Sequence, residues 1–313
     1  QYPDGAWFTY YDSTCDYECM VTEYTYWAHT SLLGGQVDRF DEIGHEWRAN
    51  TPELMRSVDD FATSILQDPQ LKLPTSLPDG NYRGMGIASV DEPSTTATPT
   101  TTTATPTTDT SVMPDTLQVS NLQILDKHPN PRLDCINGVM DVFIDVFGVV
   151  VIATDNAPLQ FVQHTAGVLA QFLDNDENGI PDDNFVISAL ANNKSMITMA
   201  ATELDFEKIL DKIDAFEIFD KGFTVQDLYG DETAPEYNFD ASLEEVHHLI
   251  LNYGWSEVYP DQLRQEEGSA IADAMDLARG GRFDRTPSQY PDGAWFTYYD
   301  STCDYECMVT EYT

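Results

Sequence analysis

The chain has few positive charges: among 313 residues, 15 are Lys or Arg and 54 are Asp or Glu, which gives a formal net charge of −39. A surface with this excess of negative charge repels nucleic acids and anionic membranes, and it attracts cations such as Ca²⁺. Long apolar runs are also missing, since no stretch approaches the roughly 18 residues that a membrane-spanning helix needs. We therefore expect no nucleic-acid partner and no membrane span.

Cysteine is scarce as well, with five residues in the chain, and two of them are copies of two others. Residues 289–313 repeat residues 1–25 without a single difference, so the two copies begin 288 positions apart. An identical repeat predicts a tandem array, although an artificial duplication would give the same pattern. One period contains Cys135, Cys303 and Cys307, an odd number whose pairing the sequence leaves open.

The repeat and a change in composition divide the chain into three predicted parts. Residues 1–92 form the C-terminal part of one module, residues 93–114 a linker, and residues 115–313 the N-terminal and central part of the next module. The linker is nearly all Thr, Pro and Ala, a composition that is typical of O-glycosylated stalks and also of plain flexible linkers. The predicted glycosylated threonines are Thr95, Thr96, Thr98, Thr100, Thr101, Thr102, Thr103, Thr105, Thr107 and Thr108.

Apolar periodicity predicts an α+β fold that consists of a small sheet and a helical half. Helical spacing marks residues 20–33, 51–67, 157–173, 203–216 and 242–253. Residues 140–155 are apolar and β-branched, which predicts a strand or a strand pair, and further strands are expected at 195–202 and 217–228.

An acidic segment, residues 174–183, matches the first part of a calcium-binding loop. Oxygen-bearing side chains stand at loop positions 1, 3, 5 and 9, and Gly stands at position 6. Position 12 is Phe185 and not Glu, so the segment resembles the shorter Asp-rich calcium loops of extracellular repeat proteins. An acidic turn without an ion is the alternative. The predicted ligands are Asp174, Asp176, Asn178, Ile180 and Asp182.

The segment Glu244-Glu245-Val246-His247-His248 differs by one residue from a zinc-peptidase helix. That helix carries two His four residues apart, with a Glu general base directly after the first. Together with Glu267, which lies in a Glu-Gly-Ser-Ala context, this region resembles the gluzincin metallopeptidases. The resemblance implies a zincin-like fold, Zn²⁺ ligands at Glu244, His248 and Glu267, and Glu245 as the base.

The replacement of the first His by Glu244 weakens the implied chemistry. Two carboxylates and one imidazole make a bound metal a weaker Lewis acid, so peptide hydrolysis would suffer. Glu245 also has an alternative role, because Ser242 and Glu245 have the spacing of a helix capping box. His247 is expected at the surface or in a supporting position.

Two functions remain open. The repeat, the Thr/Pro linker, the calcium-like loop and the glycosylation sequon at Asn193 favour an extracellular or cell-surface location. We expect a structural glycoprotein that forms a fibre or array through contacts with further copies of the module and carries glycans. The alternative is a secreted zinc metallopeptidase with an unusual ligand set.

Overall fold

The computed structural model describes residues 17–44, 47–84, 122–127, 131–210, 222–233 and 240–279. The predicted linker threonines and the second copy of the repeat, residues 289–313, lie outside these residues. Within them the chain has a mixed α/β fold with a small four-stranded sheet and many helices. This confirms the prediction of a small sheet beside a helical part. No described helix combines the length and the apolar character that crossing a membrane requires.

The N-terminal part of the fold is helical. Helix α1 spans Tyr17–Leu32, and only Glu18 and Cys19 of its residues are not buried. Cys19 is disulfide-bonded. The short helix α2 follows at Phe40–Ile43.

The single helix predicted for residues 51–67 is two helices, α3 at Pro52–Val58 and α4 at Asp60–Leu66. Asp59 separates them because its backbone leaves the helical region and its carboxylate accepts a hydrogen bond from the Ala62 amide (3.0 Å), which caps α4.

The sheet begins with the predicted strand pair. Strands β1 (Val142–Val146) and β2 (Val149–Ala153) form an antiparallel hairpin. Its turn places Phe147 and Gly148 at positive φ values of 54° and 89°. Strands β3 (Ser195–Ala200) and β4 (Thr224–Tyr229) extend the sheet in parallel, so that the order is β1-β2-β3-β4. Strand β2 is buried along its whole length, as the run of apolar β-branched residues predicts for a central strand.

Helices occupy the connections between the strands and the region after β4. They are α5 (Leu159–Leu173), α6 (Asn184–Asn192), α7 (Glu203–Leu210), α8 (Ala241–Ile250), the short helices α9 (Ser256–Val258) and α10 (Pro260–Leu263), and α11 (Ala270–Arg279). One π-helical turn, Leu251–Trp255, continues α8 directly. A short 3₁₀ helix, Pro131–Ile136, precedes the sheet.

The N-terminal helices and the sheet share one hydrophobic core. One face of the sheet, represented by Val151 and Ile197, packs with α1, α5, α8 and α11 in a single cluster. The opposite face, with Phe143 and Ile152, forms a smaller cluster. Each large apolar side chain buried in this way contributes about 1.5–3 kcal/mol to folding. Residues on both sides of the predicted linker therefore belong to one folded unit in this chain, and how modules would pair in an array stays a prediction.

Candidate metal centre

Helix α8 carries the motif residues and is fixed at its first turn. Asp240 caps the helix, because its carboxylate accepts hydrogen bonds from the Ser242 amide (3.1 Å) and the Ser242 hydroxyl (2.6 Å). His164 on α5 lies 2.6 Å from the other oxygen of the same carboxylate. Burial alone would raise the pKa of Asp240, but the contacts with His164 and Ser242 hold it below the usual value. Asp240 therefore fills the cap position that the capping-box alternative assigned to Ser242.

Helix α1 supplies a potential metal ligand, Glu23, next to two potential ligands on α8. Glu23 of α1 lies with Glu244 and His248 of α8 so that one potential ligand atom from each is within 4.8 Å of the others. The two α8 residues are four positions apart and so share a helix face. A hydrogen bond from the Thr22 hydroxyl to the Asn252 side chain (2.7 Å) joins the same two helical segments. Three ligating groups from two helices thus converge on one point.

His248 has the state and the position of a metal ligand. It is 7% exposed, and its Nε2 atom makes no hydrogen bond while lying 3.4 Å from Glu23 Oε1. Burial lowers the pKa of His248 to about 4, although the charge of Glu244 acts in the opposite direction. The imidazole is therefore neutral at pH 7, which is the form that binds metals. A buried ring nitrogen without a hydrogen bond is costly unless it receives a ligand.

The carboxylates of the centre also favour a cation. Burial raises the pKa of Glu244, and the neighbouring Glu245 raises it further, while His248, Glu23 and Arg39 lower it. The Arg39 guanidinium is itself bound to Gln36 (2.8 Å) and Glu42 (2.9 Å). Two carboxylates and one neutral imidazole are a donor set that divalent cations accept. The residues present therefore fit a divalent metal ion.

Glu245, the predicted general base, lies beside the centre. Its Oε2 atom accepts a hydrogen bond from Gln226 of β4 (2.5 Å) and lies 3.7 Å from Nδ1 of His248. Its side chain is 22% exposed. Burial, together with the charge of Asp227, raises the pKa of Glu245 to about 8. Its contacts are with His248 and β4, and it does not cap α8.

Glu267, the third ligand implied by the gluzincin resemblance, is not in the group of potential ligands that the described residues form. It is exposed in the turn that precedes α11, and Glu23 is the residue that joins Glu244 and His248. Glu23 was not among the predicted ligands, because it is more than 200 positions from α8 in the sequence. One signal was available: Glu23 is the only carboxylate among residues 20–33, in an otherwise apolar, aromatic and neutral helix.

His247 is not a surface residue. It is fully buried, and its ring lies against those of Phe172 and Trp255. Its Nε2 atom is 3.4 Å from Nδ1 of His29, whose other nitrogen is 3.0 Å from the Pro74 carbonyl. Burial lowers the pKa of both His residues, that of His29 to about 4. The pair is an uncharged link between α1, α8 and the segment that follows α4.

The acidic loop brings three of its five predicted ligands together. Asp174, Asp176 and Asp182 have potential ligand atoms within 4.8 Å of one another, whereas Asn178 and Ile180 are not part of this group. Asp174 is fully buried and accepts hydrogen bonds from the Gly179 amide (2.8 Å), the Asn178 amide (3.1 Å) and the Tyr82 hydroxyl.

The same loop concentrates negative charge. Burial raises the pKa of Asp174 and of Asp182, and the charges of Asp176 and Asp174 raise that of Asp182 further. The Asn178 side chain accepts a hydrogen bond from the Ile180 amide (2.8 Å). These acidic groups could bind a metal ion.

The sequon at Asn193 lies at the end of α6. The Asn193 amide group donates a hydrogen bond to the Tyr253 carbonyl (3.1 Å), and Ser195 is buried at the start of β3. A glycan at Asn193 would replace one of the two Nδ2 hydrogens, and the other could keep the hydrogen bond to Tyr253.

Comparison with known proteins gives no relative: no family model, no curated protein and no solved structure matches the chain.

Proposed function

We propose that the chain is a module of an extracellular structural repeat protein and that a divalent metal ion at Glu23, Glu244 and His248 joins helix α1 to helix α8. The observation that carries this proposal is the buried, hydrogen-bond-free Nε2 of His248 facing two carboxylates. Structural zinc sites usually have four protein ligands, whereas three protein ligands leave a fourth position for water or another group. The three residues grouped here would leave one such position. A structural role is favoured by the burial of Glu23 and His248, which are 5% and 7% exposed.

Zn²⁺ is the ion that we propose for this centre. Imidazole and carboxylate are both ordinary zinc ligands, and they would hold the ion at about 2.0–2.2 Å. Because two of the three donors are carboxylates, Mn²⁺ is the principal competitor. Cys19 supports the extracellular location, since disulfide bonds persist in oxidising surroundings.

Metal content and thermal unfolding of the purified chain test the proposal. We expect one Zn²⁺ per chain by elemental analysis after removal of loosely bound ions. We also expect a lower unfolding temperature after treatment with a chelator and recovery when Zn²⁺ is returned. A chain that binds no Zn²⁺ or Mn²⁺ at micromolar concentration would show that this group of residues is not a metal centre.

A secreted zinc peptidase is the second candidate, and the position of Glu245 favours it. This carboxylate is partly exposed beside His248 and could hold a proton taken from water. A bound Zn²⁺ would supply polarisation of the substrate carbonyl. Cleavage of a mixed peptide library that disappears in Glu245→Gln and after chelation would establish this activity. Metal binding without cleavage would leave the structural function.

The array itself is proposed from the exact repeat and from the Thr/Pro segment with its proposed O-linked glycans. Modules joined by such a linker, about 70 Å long when its 22 residues are extended, would form fibres or a surface array. Electron microscopy of native material distinguishes the outcomes: regular filaments or lattices support the array, whereas dispersed particles contradict it.

For the acidic loop we propose Ca²⁺, a hard cation that prefers carboxylate oxygens. Asp176 is exposed, so Asp176→Asn removes one charge without disturbing the core. We expect calorimetry to show weaker Ca²⁺ binding in this variant than in the control Asp231→Asn, which changes an exposed Asp elsewhere. Equal affinity in the two variants would remove Asp176 from the site.

A further inference from the structure

The two ring nitrogens of His248 face different carboxylates. Nε2 lies 3.4 Å from Glu23 Oε1, on the side of the proposed ion, and Nδ1 lies 3.7 Å from Glu245 Oε2. An imidazole that binds a metal through Nε2 must carry its proton on Nδ1. Metal-ligating His residues nearly always donate that second N–H to a carboxylate, a carbonyl or water, which fixes the tautomer and the ring orientation. Glu245 is the carboxylate on the Nδ1 side of His248, and its 3.7 Å distance would have to shorten by roughly 0.5–1 Å to make this hydrogen bond.

Glu245 is itself held in place from the opposite side. Gln226, in the middle of strand β4, donates a hydrogen bond of 2.5 Å to the same Oε2 atom. Glu245 is also three positions before His248, a spacing that places both side chains on one side of α8. The carboxylate is thus fixed between the sheet and the imidazole, with Oε2 making both contacts.

We infer that Glu245 is a positioning residue: it accepts the Nδ1–H of His248 and so presents Nε2 to the metal ion. This inference rests on the metal centre proposed above. It differs from the role that the gluzincin resemblance implies, in which Glu245 would take a proton from water. Gluzincins have a His ligand where this chain has Glu244. A Glu at that position and an orienting role for Glu245 both favour a centre that holds an ion over one that hydrolyses peptides.

The two roles predict different Zn²⁺ affinities for Glu245→Ala, because only a positioning residue affects metal binding, whereas a general base affects the rate of hydrolysis. A Gln side chain keeps a carbonyl oxygen that can accept the Nδ1–H, so we expect Zn²⁺ affinity within about threefold of the wild type. Glu245→Ala removes the acceptor, and loss of such a partner typically weakens metal binding about 10–100-fold. A matched control is Glu257→Ala, which removes an exposed carboxylate on α9.

The experiment is Zn²⁺ calorimetry on the wild type, Glu245→Gln, Glu245→Ala and Glu257→Ala. Long-range ¹H–¹⁵N spectra of the same proteins report which nitrogen of each imidazole carries the proton. The His248 signals are assigned as those that disappear in His248→Asn. In the metal-free wild type we expect the proton of His248 on Nδ1, facing Glu245 and not Glu23. The metal-free protein is the informative state, because Zn²⁺ at Nε2 requires this tautomer whatever residue stands at position 245. In Glu245→Ala we expect weaker Zn²⁺ binding and, in the metal-free protein, the loss of this defined tautomer, a change that a merely structural role of Glu245 would not produce.

The outcomes separate the inference from the proposal on which it rests. If the wild type binds no Zn²⁺, the metal centre itself fails. If the wild type binds Zn²⁺ but Glu245→Ala has the same affinity and tautomer, Glu245 does not position His248. If Glu245→Ala does not fold, the wild-type spectrum decides alone, because a proton on Nε2 of His248 in the metal-free protein, facing Glu23, overturns the inference.

Discussion

Replacing Glu23 with Gln should separate the two contributions of this carboxylate, its buried charge and its bond to the ion. Without metal, Glu23→Gln removes a nearly buried charge close to Glu244, so we expect the metal-free variant to be as stable as the wild type or more stable. With metal, it removes one of three ligands. The stabilisation produced by Zn²⁺ should then largely disappear.

The size of the effect follows from linkage. Zn²⁺ at 100 times its dissociation constant raises the free energy of unfolding by about 2.7 kcal/mol. For a domain of this size each kcal/mol shifts the unfolding temperature by about 2–4 °C, so the wild type should gain about 5–11 °C. If loss of Glu23 weakens binding about 100-fold, the same Zn²⁺ concentration leaves only about 0.4 kcal/mol, or about 1–2 °C.

The repeat offers a matched control for this experiment. Glu311 occupies the same place in the second copy of the 25-residue sequence, so Glu311→Gln makes the same chemical change in an identical local context. Differential scanning fluorimetry with and without Zn²⁺ should show the full shift in Glu311→Gln and almost none in Glu23→Gln. A full shift in both variants would refute the role of Glu23, and loss of the shift in Glu311→Gln would assign that role to the second copy.

Three further predictions concern the surroundings of the centre. Burial raises the pKa of Glu232 to about 7, with Glu245 adding to the shift, so its ionisation costs stability as pH rises from about 4.5 towards 7. At pH 8, chemical denaturation should therefore show Glu232→Gln to be more stable than the wild type by about 1 kcal/mol, a value reduced because Glu232 is partly exposed. At pH 4 the two proteins should be equally stable. Asp240→Ala removes the cap of α8 and leaves His164 without its carboxylate partner, so the free energy of unfolding should fall by about 2–4 kcal/mol. A decrease below about 1 kcal/mol would contradict the role of Asp240 in fixing α8. In Gly167→Ala the new Cβ would lie 2.1 Å from the Gly80 carbonyl oxygen. Overpacking of this kind should lower the free energy of unfolding by about 1–3 kcal/mol or more. An unchanged denaturation midpoint would show that the segment around Gly80 can move away.

The elements with strong local signals were predictable from the sequence. Apolar β-branched residues predicted the β1–β2 pair, and residues 195–202 became β3. The helix predicted for 242–253 begins one residue earlier and continues as a π-helical turn. The division of residues 51–67 was not predicted, because Asp59 acts through its carboxylate cap and not through the apolar period.

The site was predictable only in part, for a physical reason. Glu244 and His248 lie on one helix, so their spacing of four residues in the sequence predicts that they share a helix face. Glu23 joins them through the packing of α1 on α8. A contact between two helices so far apart in the sequence cannot be predicted from a local sequence pattern. The motif instead pointed to Glu267 because that residue has the spacing found in gluzincins, while its position in this fold is exposed.

The core shared by the N-terminal helices and the sheet should hold the two parts together even without the covalent connection between them. Tyr24 and Trp27 of α1 belong to the same buried cluster as Val246 and Leu249 of α8, on the other side of residues 85–121. A protease that cut the chain in that interval would produce two fragments, each carrying half of an apolar interface. The two pieces would stay together as a fragment-complemented protein, which a denaturing gel separates and a sizing column does not.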